Sequence, residues 1–360
     1  MNLKKFYNKK KILITGHTGF KGSWLVHWLS RYNVQIMGIS LNNDVKLSLF
    51  KFVNKEKLID KRFDISDSKK LETNILKFKP DIVYHLAAQA LVKKSVSQPL
   101  ETFKTNIIGT ANILSCLNKL NKKTISVIVT SDKCYQNLKL QRGYHEDDRL
   151  GGHDPYSASK ASAEIVFKSY FNSILKKNKK IRIATARAGN VIGGGDWSLN
   201  RLVPDCVRAW ASNQKVKIRS PNSTRPWQHV LEPLSGYIAL SYHLKKNKNI
   251  NGNSFNFGPK INEVATVKKV LKISQKYWKK AKFKIYKENF FKEDHLLRLN
   301  SKKANKILKW KKILSLEKTL DLTMTWYNHF YKKDTKVSNL LNRDIDYFLK
   351  LKKNIFDDKF

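Results

Sequence analysis

The chain has 360 residues and a formal net charge of +43, from 71 Lys and Arg against 28 Asp and Glu. Its 41% hydrophobic and 11% aromatic content is that of a folded globular protein, not of a disordered chain. No apolar run is long enough to cross a bilayer, and Cys116, Cys134 and Cys206 are too few and too far apart for a disulfide framework or a zinc site. No metal is therefore expected. The lead "MNLKKFYNKKKILITG" has no apolar stretch of secretory type, so the expectation is a cytoplasmic protein without a membrane partner. A charge this positive would ordinarily suggest nucleic acid. Here the lysines are spread over the whole length among many Asn and Ile residues, with no zinc-finger, basic-zipper or arginine-rich pattern, so a compositional origin is expected and a nucleic-acid partner is not.

In chain order, "KILITG" reads as a buried strand, "GSWLVHWLSRY" as a helix and "VQIMGISL" as a second strand. "PDIVYHLAA" is a further strand after a proline stop. "TNIIGTANILSCLNKL" is an amphipathic helix and "TISVIVTS" a central strand, followed by a long helix in "PYSASKASAEIVFKSYFNSILKK" and a strand in "IRIATARAGNV". This alternation predicts an α/β fold, a Rossmann-type doubly wound parallel sheet with a smaller C-terminal substrate-binding region. The expected division is a dinucleotide-binding domain over 1–188, a mainly substrate-binding region over 189–335 interleaved with the last strands, and a helical tail over 336–360.

"ILITGHTGFKGSW" sets Gly16, Gly19 and Gly22 between a strand and a helix. Glycines there allow a tight turn and let backbone N–H groups and the helix N-terminus approach a pyrophosphate. Three glycines alone also fit a packing turn, but the strand before and the helix after favour the nucleotide. The second strand ends in "GISLNND", so Asn42 or Asn43 would take the ribose role usually held by an acid, with Asp44 lying late. Asp64, in "RFDISD", is either a reader of the adenine edge or a surface Asx turn. Ala87 and Ala88 are small enough to let a cofactor lie against the strand that precedes them.

Tyr156 and Lys160 stand one helical turn apart in "PYSASK" and so share a face. Such a pair also arises by chance. Beside a strand ending in Ser131, and near a positively charged nicotinamide, the lysine would favour the phenolate and make the tyrosine a base towards a sugar hydroxyl. The same strand end continues into Asp132 and Lys133, either an exposed ion pair or an acid and a base at one point.

The glycine loop, the Tyr-x-x-x-Lys pair and the strand-end hydroxyl resemble the extended short-chain dehydrogenase/reductase group and its NAD-dependent epimerase/dehydratase family. The wider phrasing, in "HLAAQALV", "TSDKCY", "GGHDPYSASK", "ARAGNVIGGGDW" and "RPWQHVLEPLSGY", resembles the CDP-glucose 4,6-dehydratase family from about residue 11 to about residue 330. The resemblance implies NAD as cofactor, with Gly16, Thr18, Gly19, Phe20, Gly22, Asn42, Asp64, Ile65, Leu86, Ala87, Ala88, Asn106, Tyr156 and Lys160 around it. It implies CDP-glucose as the nucleotide-sugar substrate, a homodimer joined through the helices bearing "TNIIGT" and "YSASK", and a place in deoxysugar synthesis for surface polysaccharide. The implied sequence is oxidation at the sugar's carbon 4 with Tyr156 taking the proton, elimination of water across carbons 5 and 6, and return of the hydride to carbon 6. Asp132, protonated, is then the donor to the departing hydroxyl. Lys133 stands where sister dehydratases carry Glu; it is either the base towards carbon 5, if neutral, or a cation steadying the enolate.

A sugar-nucleotide pyrophosphate calls for arginines, whose planar fork grips phosphate oxygens bidentately. Arg201, Arg219 and Arg225 are the candidates, with Gln89 and, by resemblance, Asn190 beside them. His229 and Trp227 either wall the site or, for the Trp, pack the loop. The rival readings are a dehydratase or epimerase for another nucleotide sugar, and a non-catalytic basic nucleotide- or nucleic-acid-binding protein.

Overall fold

A computed structural model describes residues 1–42, 47–279, 281–286 and 297–353. Seven strands form the central sheet: β1 (Lys10–Thr15), β2 (Val34–Ser40), β3 (Leu58–Arg62), β4 (Ile82–His85), β5 (Thr124–Val129), β6 (Ile181–Ala188) and β7 (Ser254–Phe257). Their spatial order is β7-β6-β5-β4-β1-β2-β3, and every pairing is parallel. Strand order reverses between β1 and β4, which opens a crevice at the carboxyl ends of these two strands.

The inner strands are runs of consecutive buried residues, as a sheet covered on both faces requires. The sequence reading has no strand at 58–62. "LIDKR" is an edge strand with four of five residues exposed and three of them charged, so it carries no apolar run to detect. It also has none at 254–257, where four buried residues extend the sheet beyond β6.

The core on one face is shared by α1 (Phe20–Leu29) and helices of the second half of the chain; that on the other by α2 (Ser68–Phe78), α3 (Gly109–Lys119) and α4 (Pro155–Tyr170). The second half of the chain adds α5 (Leu202–Ala211), α6 (Leu231–Lys246), α7 (Leu316–Lys332) and α8 (Val337–Leu351). The helix expected over 105–120 starts in a π-type turn at Lys104–Ile108, and the one over 155–177 ends in another at Phe171–Leu175. The terminal helix α8 is part of the main core. Its Phe348 ring meets Trp28 of α1 edge-on at 5.9 Å, and Asn342 pairs with His27 at 3.0 Å. The end of the tail, residues 354–360, lies outside the described residues.

Candidate active site

The glycine loop leaves β1 at Thr15 and turns at Gly16, whose φ of +72° lies in the left-handed region. A Cβ on Gly16 would sit 2.7 Å from the amide nitrogen of Ala87 at the end of β4, and one on Gly22 would collide with the Gly16 carbonyl. The loop therefore holds its shape only with glycine at both points. Gly19 caps α1 without any side-chain hydrogen bond, so the first amides of the helix are left to an external acceptor. Thr18 and Phe20 are half-buried beside it. This cradle of bare backbone at a helix N-terminus fits a dinucleotide pyrophosphate.

Around the cradle, the Thr15 hydroxyl accepts from the Ala87 amide at 3.2 Å and pairs with His85 Nδ1 at 2.7 Å, while the Leu86 amide donates to the Thr15 carbonyl at 3.1 Å. These bonds fix Leu86, Ala87 and Ala88, all half-buried, at the crevice. Asn42 is exposed two residues beyond β2; Asn43 and Asp44 lie outside the described residues. Asp64 accepts the Ser66 amide at 2.8 Å, the Asx-turn alternative, and the Ile65 side chain is buried in the core behind α3. An acid that the sequence reading does not use, Asp60 of β3, accepts from the buried loop residue His17 at 2.9 Å and pairs with Arg62 at 2.7 Å.

Two expected contacts are turned inward. Asn106 accepts from the Gln89 amide at 2.8 Å and donates to the Gln89 carbonyl at 3.1 Å and to Ser159 at 2.8 Å. The Gln89 side chain donates to the Leu91 carbonyl and to Thr102, both at 3.0 Å, and accepts the Leu91 amide at 2.6 Å. With every polar atom of the Gln89 amide engaged by protein, this residue braces the loop after β4 rather than facing a substrate. Asn106 likewise ties that loop to α4.

The end of β5 carries the expected catalytic residues Ser131, Asp132 and Lys133. Ser131 caps a 3-10 turn over Asp132–Cys134; its hydroxyl donates to Asp132 Oδ1 at 2.8 Å and accepts the Lys133 amide at 3.2 Å. Asp132 is buried with Oδ2 against the backbone of Gly189, where an added Cβ would lie 2.8 Å away. Lys133 is half-buried on the same turn. Across the crevice, Asp154 caps α4 by accepting the Ser157 amide at 3.0 Å, which sets Tyr156 in the first turn and Lys160 one turn deeper. Below Lys160, Glu164 and Arg187 form a fully buried ion pair at 2.8 Å. Glu164 also accepts from Thr130 at 2.5 Å and Thr185 at 3.0 Å, so the pair locks α4 to the ends of β5 and β6.

Burial raises the Asp132 carboxyl above the ordinary range, opposed by Lys133, the Ser131 hydroxyl and Lys21. Burial also lowers Lys160 to about 8, with Cys134 and Glu164 opposing. The sequence expectation is that Lys160 lowers the Tyr156 phenol. Among the protein's own groups, burial raises it instead, and the downward pull comes from a hydrogen bond with Ser131 and from Arg201. Lys21, in the second helical position after Gly19, is lowered to about 8 by burial and by Arg201, and raised by Asp132.

Of the expected substrate groups, Arg201 reaches this point: it stands at the start of α5, pairs with the buried Asp196 at 3.4 Å and acts on both Tyr156 and Lys21. Asn190 is exposed at the end of β6. Arg219 is exposed beyond the short strand Val216–Ile218, and Arg225 donates to the Thr224 carbonyl at 2.8 Å. His229 is a correction. It is wholly buried, edge-on to Trp24 of α1 at 6.0 Å, and burial holds it neutral at a pKa of about 3, so it packs behind the glycine loop and does not face a substrate. Trp227 donates to the Ala265 carbonyl at 3.1 Å and is packing. Lys21, Tyr237 and Gly189 are the site residues that sequence reasoning misses, although all three lie inside the motifs quoted above.

The family model for GDP-mannose 4,6 dehydratase matches residues 13–323. The chain belongs to this family. A CDP-glucose 4,6-dehydratase of Salmonella typhimurium is 42% identical over 330 residues, covering 90% of this chain and 92% of that one. Among solved structures, an epimerase from Methanothermobacter thermautotrophicus superposes with a TM-score of 0.80 at 21% identity, covering 92% of this chain and 95% of the other. The dTDP-glucose 4,6-dehydratase of Bacillus anthracis in complex with NAD gives 0.74 at 22%, covering 90% and 98%. These two likenesses bear on the fold, a Rossmann-type sheet with an appended half.

Proposed function

We propose that the chain is a CDP-glucose 4,6-dehydratase, which removes water from CDP-D-glucose to give CDP-4-keto-6-deoxy-D-glucose. The observation that carries this reading is the Asp132 carboxyl, held by Ser131 and raised by burial, opposite Tyr156 and Lys160. An epimerase has no use for an acid beside the strand-end serine; an elimination does. The choice of CDP-glucose is supported by the 42% identity to the Salmonella typhimurium enzyme of that name.

NAD is the proposed cofactor, and when bound it supplies a hydride acceptor and donor that ends each turnover as it began. The amides after Gly16 and Gly19 would hold its pyrophosphate, with Ala87 and Ala88 alongside. Tyr156, as the phenolate, takes the proton of the sugar's 4-hydroxyl and becomes the neutral phenol, its oxygen hydrogen-bonded with Ser131. The carbonyl formed at carbon 4 acidifies the hydrogen on carbon 5. Lys133, in its neutral form, removes that proton; the electron pair forms the carbon 5–carbon 6 double bond, and the 6-hydroxyl leaves as water with the proton of Asp132. With the hydride returned to carbon 6, Lys133 gives its proton back to carbon 5, which completes the 4-keto-6-deoxy sugar. Arg201, at the start of α5, is proposed to hold a phosphate of the nucleotide.

The proposed assembly is a homodimer. Its support is exposed apolar side chains on the expected helices, Ile108 50% exposed and Ile165 56%, with Leu100 80% exposed on the short helix Pro99–Phe103 before them. No described helix is long and apolar enough to cross a membrane; a cytoplasmic location is proposed, without a nucleic-acid partner.

The test is incubation with CDP-, dTDP-, UDP- and GDP-hexoses without added reductant, read by mass spectrometry. Loss of one water from CDP-glucose without accumulating NADH is expected. Loss of water from another member overturns the substrate, and an isomer of unchanged mass overturns the reaction.

A further inference from the structure

One guanidinium joins the two halves of the proposed site. Arg187, near the end of β6, is wholly buried. Its Nε donates to Glu164 Oε1 at 2.9 Å, and Nη2 donates to Glu164 Oε2 at 2.8 Å and to the Ser254 hydroxyl at 3.1 Å. Nη1 donates to the Glu146 carbonyl and to the Tyr135 hydroxyl, both at 2.7 Å. These are five bonds for the five N–H groups that a guanidinium carries.

Two of its partners belong to opposite sides of the crevice. Glu164 stands one helical turn after Lys160 on α4. Tyr135 directly follows the turn Asp132–Cys134, and its amide donates to the Asp132 carbonyl at 3.3 Å. The residue before Ser131 is tied to the same ion pair, because the Thr130 hydroxyl donates to Glu164 at 2.5 Å. Residues 131–134 are thus pinned at both ends, by Thr130 to Glu164 and by Tyr135 to Arg187.

We infer that Arg187 and Tyr135 are positioning residues that fix the Asp132 turn against the helix bearing Tyr156 and Lys160. On the dehydratase reading, which this assignment rests on, the two elements serve different steps. Tyr156 and Lys160 serve the oxidation at carbon 4; Asp132 and Lys133 serve the elimination. One sugar must meet both, so their separation has to be constant through the reaction.

The join suits an arginine. Its planar fork takes Glu164 with two nitrogens and keeps a third for Tyr135, whereas a lysine ammonium offers a point charge with no fork. Since Arg187 can only donate, the Tyr135 hydroxyl accepts from it and gives its own proton to Asn256 Oδ1, 2.8 Å away on β7. Asn256 is held in turn, donating to the carbonyls of Tyr144 at 2.8 Å and Asn300 at 3.2 Å. A buried ion pair adds little net stability over an apolar packing, because desolvation offsets the attraction. What this one adds is a single fixed geometry at the two ends of the catalytic turn.

The test is Tyr135→Phe in the full chain with NAD bound, which keeps the ring and removes the hydroxyl. In single turnovers of CDP-glucose the elimination is expected to slow by up to about 100-fold, the loss that a misplacement of about 1 Å brings. Oxidation keeps its rate, so reduced nicotinamide builds up beyond the level in the parent. Arg187→Lys, which keeps a charge for Glu164 but not the fork, gives the same test from the other partner and is expected to shift the balance the same way. Ser254→Ala removes a bond of the same guanidinium that leads to β7 instead, and is expected to leave the balance unchanged. Oxidation and elimination slowed by one common factor in Tyr135→Phe, as a loss of folded enzyme would give, overturn the inference; so do unchanged rates. A second measurement needs no turnover: amide hydrogen exchange over residues 132–135 is expected to quicken in Tyr135→Phe while that of α8 stays as in the parent. Exchange quickened everywhere alike, or nowhere, overturns the inference too. A parent chain that does not dehydrate CDP-glucose overturns the dehydratase reading, and the exchange measurement still decides the brace.

Discussion

The Asp132 carboxyl fills the space a side chain at Gly189 would take, with Oδ2 2.8 Å from where a Cβ would be. The acid is therefore confined on one side by Ser131 and on the other by a residue with no side chain. Gly189→Ala forces the carboxyl aside, and a displacement of about 1 Å costs roughly 100-fold in rate. The expected result is a kcat lower by about that factor, with a melting temperature close to that of the parent and little change in KM. Steady-state kinetics beside thermal unfolding check it.

Removing the acid separates the two halves of the reaction. Asp132→Asn keeps the shape and the Ser131 partner but has no proton to give, so turnover falls by about 10²- to 10⁴-fold. Oxidation at carbon 4 still proceeds, so reduced cofactor accumulates. Stopped-flow absorbance of the nicotinamide in a single turnover shows this directly.

Glu164 and Arg187 are both fully buried, and removing one partner leaves the other as an uncompensated charge. Glu164→Gln is expected to lose about 3–5 kcal/mol of stability by urea unfolding. Burial alone would raise Glu164, but Arg187 and the hydroxyls of Thr130 and Thr185 more than offset it, and its pKa is lowered in the fold. The stabilisation is therefore complete above the unfolded carboxyl's value of about 4.3 and is lost as pH falls through the lower folded value. The variant should lack this acid-side loss.

Asp344 of α8 gives the opposite sign. Burial raises it to about 7, against the pull of Arg343. Its folded value lies above the unfolded one, near 3.9, so ionisation weakens the fold progressively as pH rises between the two, at about 1.4 kcal/mol per unit of difference at most. Asp344→Asn should narrow the stability difference between about pH 5 and about pH 8, measured by thermal unfolding across that range.

The cradle and the reactive strand end were legible because they are local. The glycines of the loop, Ser131 with Asp132, and Tyr156 with Lys160 each lie within one short stretch, and the strands beside them are unbroken apolar runs. What sequence did not give is set by packing across the sheet. His229 lies beside Arg225 and Trp227 in the chain, yet α1 covers it with Trp24. Gln89 carries a free amide on paper, but its own loop and Thr102 take every polar atom. Lys21 reads as an ordinary helix-start lysine until Tyr237, 216 positions later, comes to hold it. β3 escapes because an edge strand can be charged and still pair.

In the proposed reaction, one hydride is lifted from carbon 4 and returned to carbon 6 at a site built on Tyr156 and Asp132. CDP-glucose carrying deuterium at carbon 4 tests it most directly, with the product read by NMR. Deuterium at carbon 6 of a 4-keto-6-deoxy product, without exchange into solvent, is the predicted result. Deuterium still at carbon 4 of a recovered or epimerised sugar, or lost to water, would contradict it.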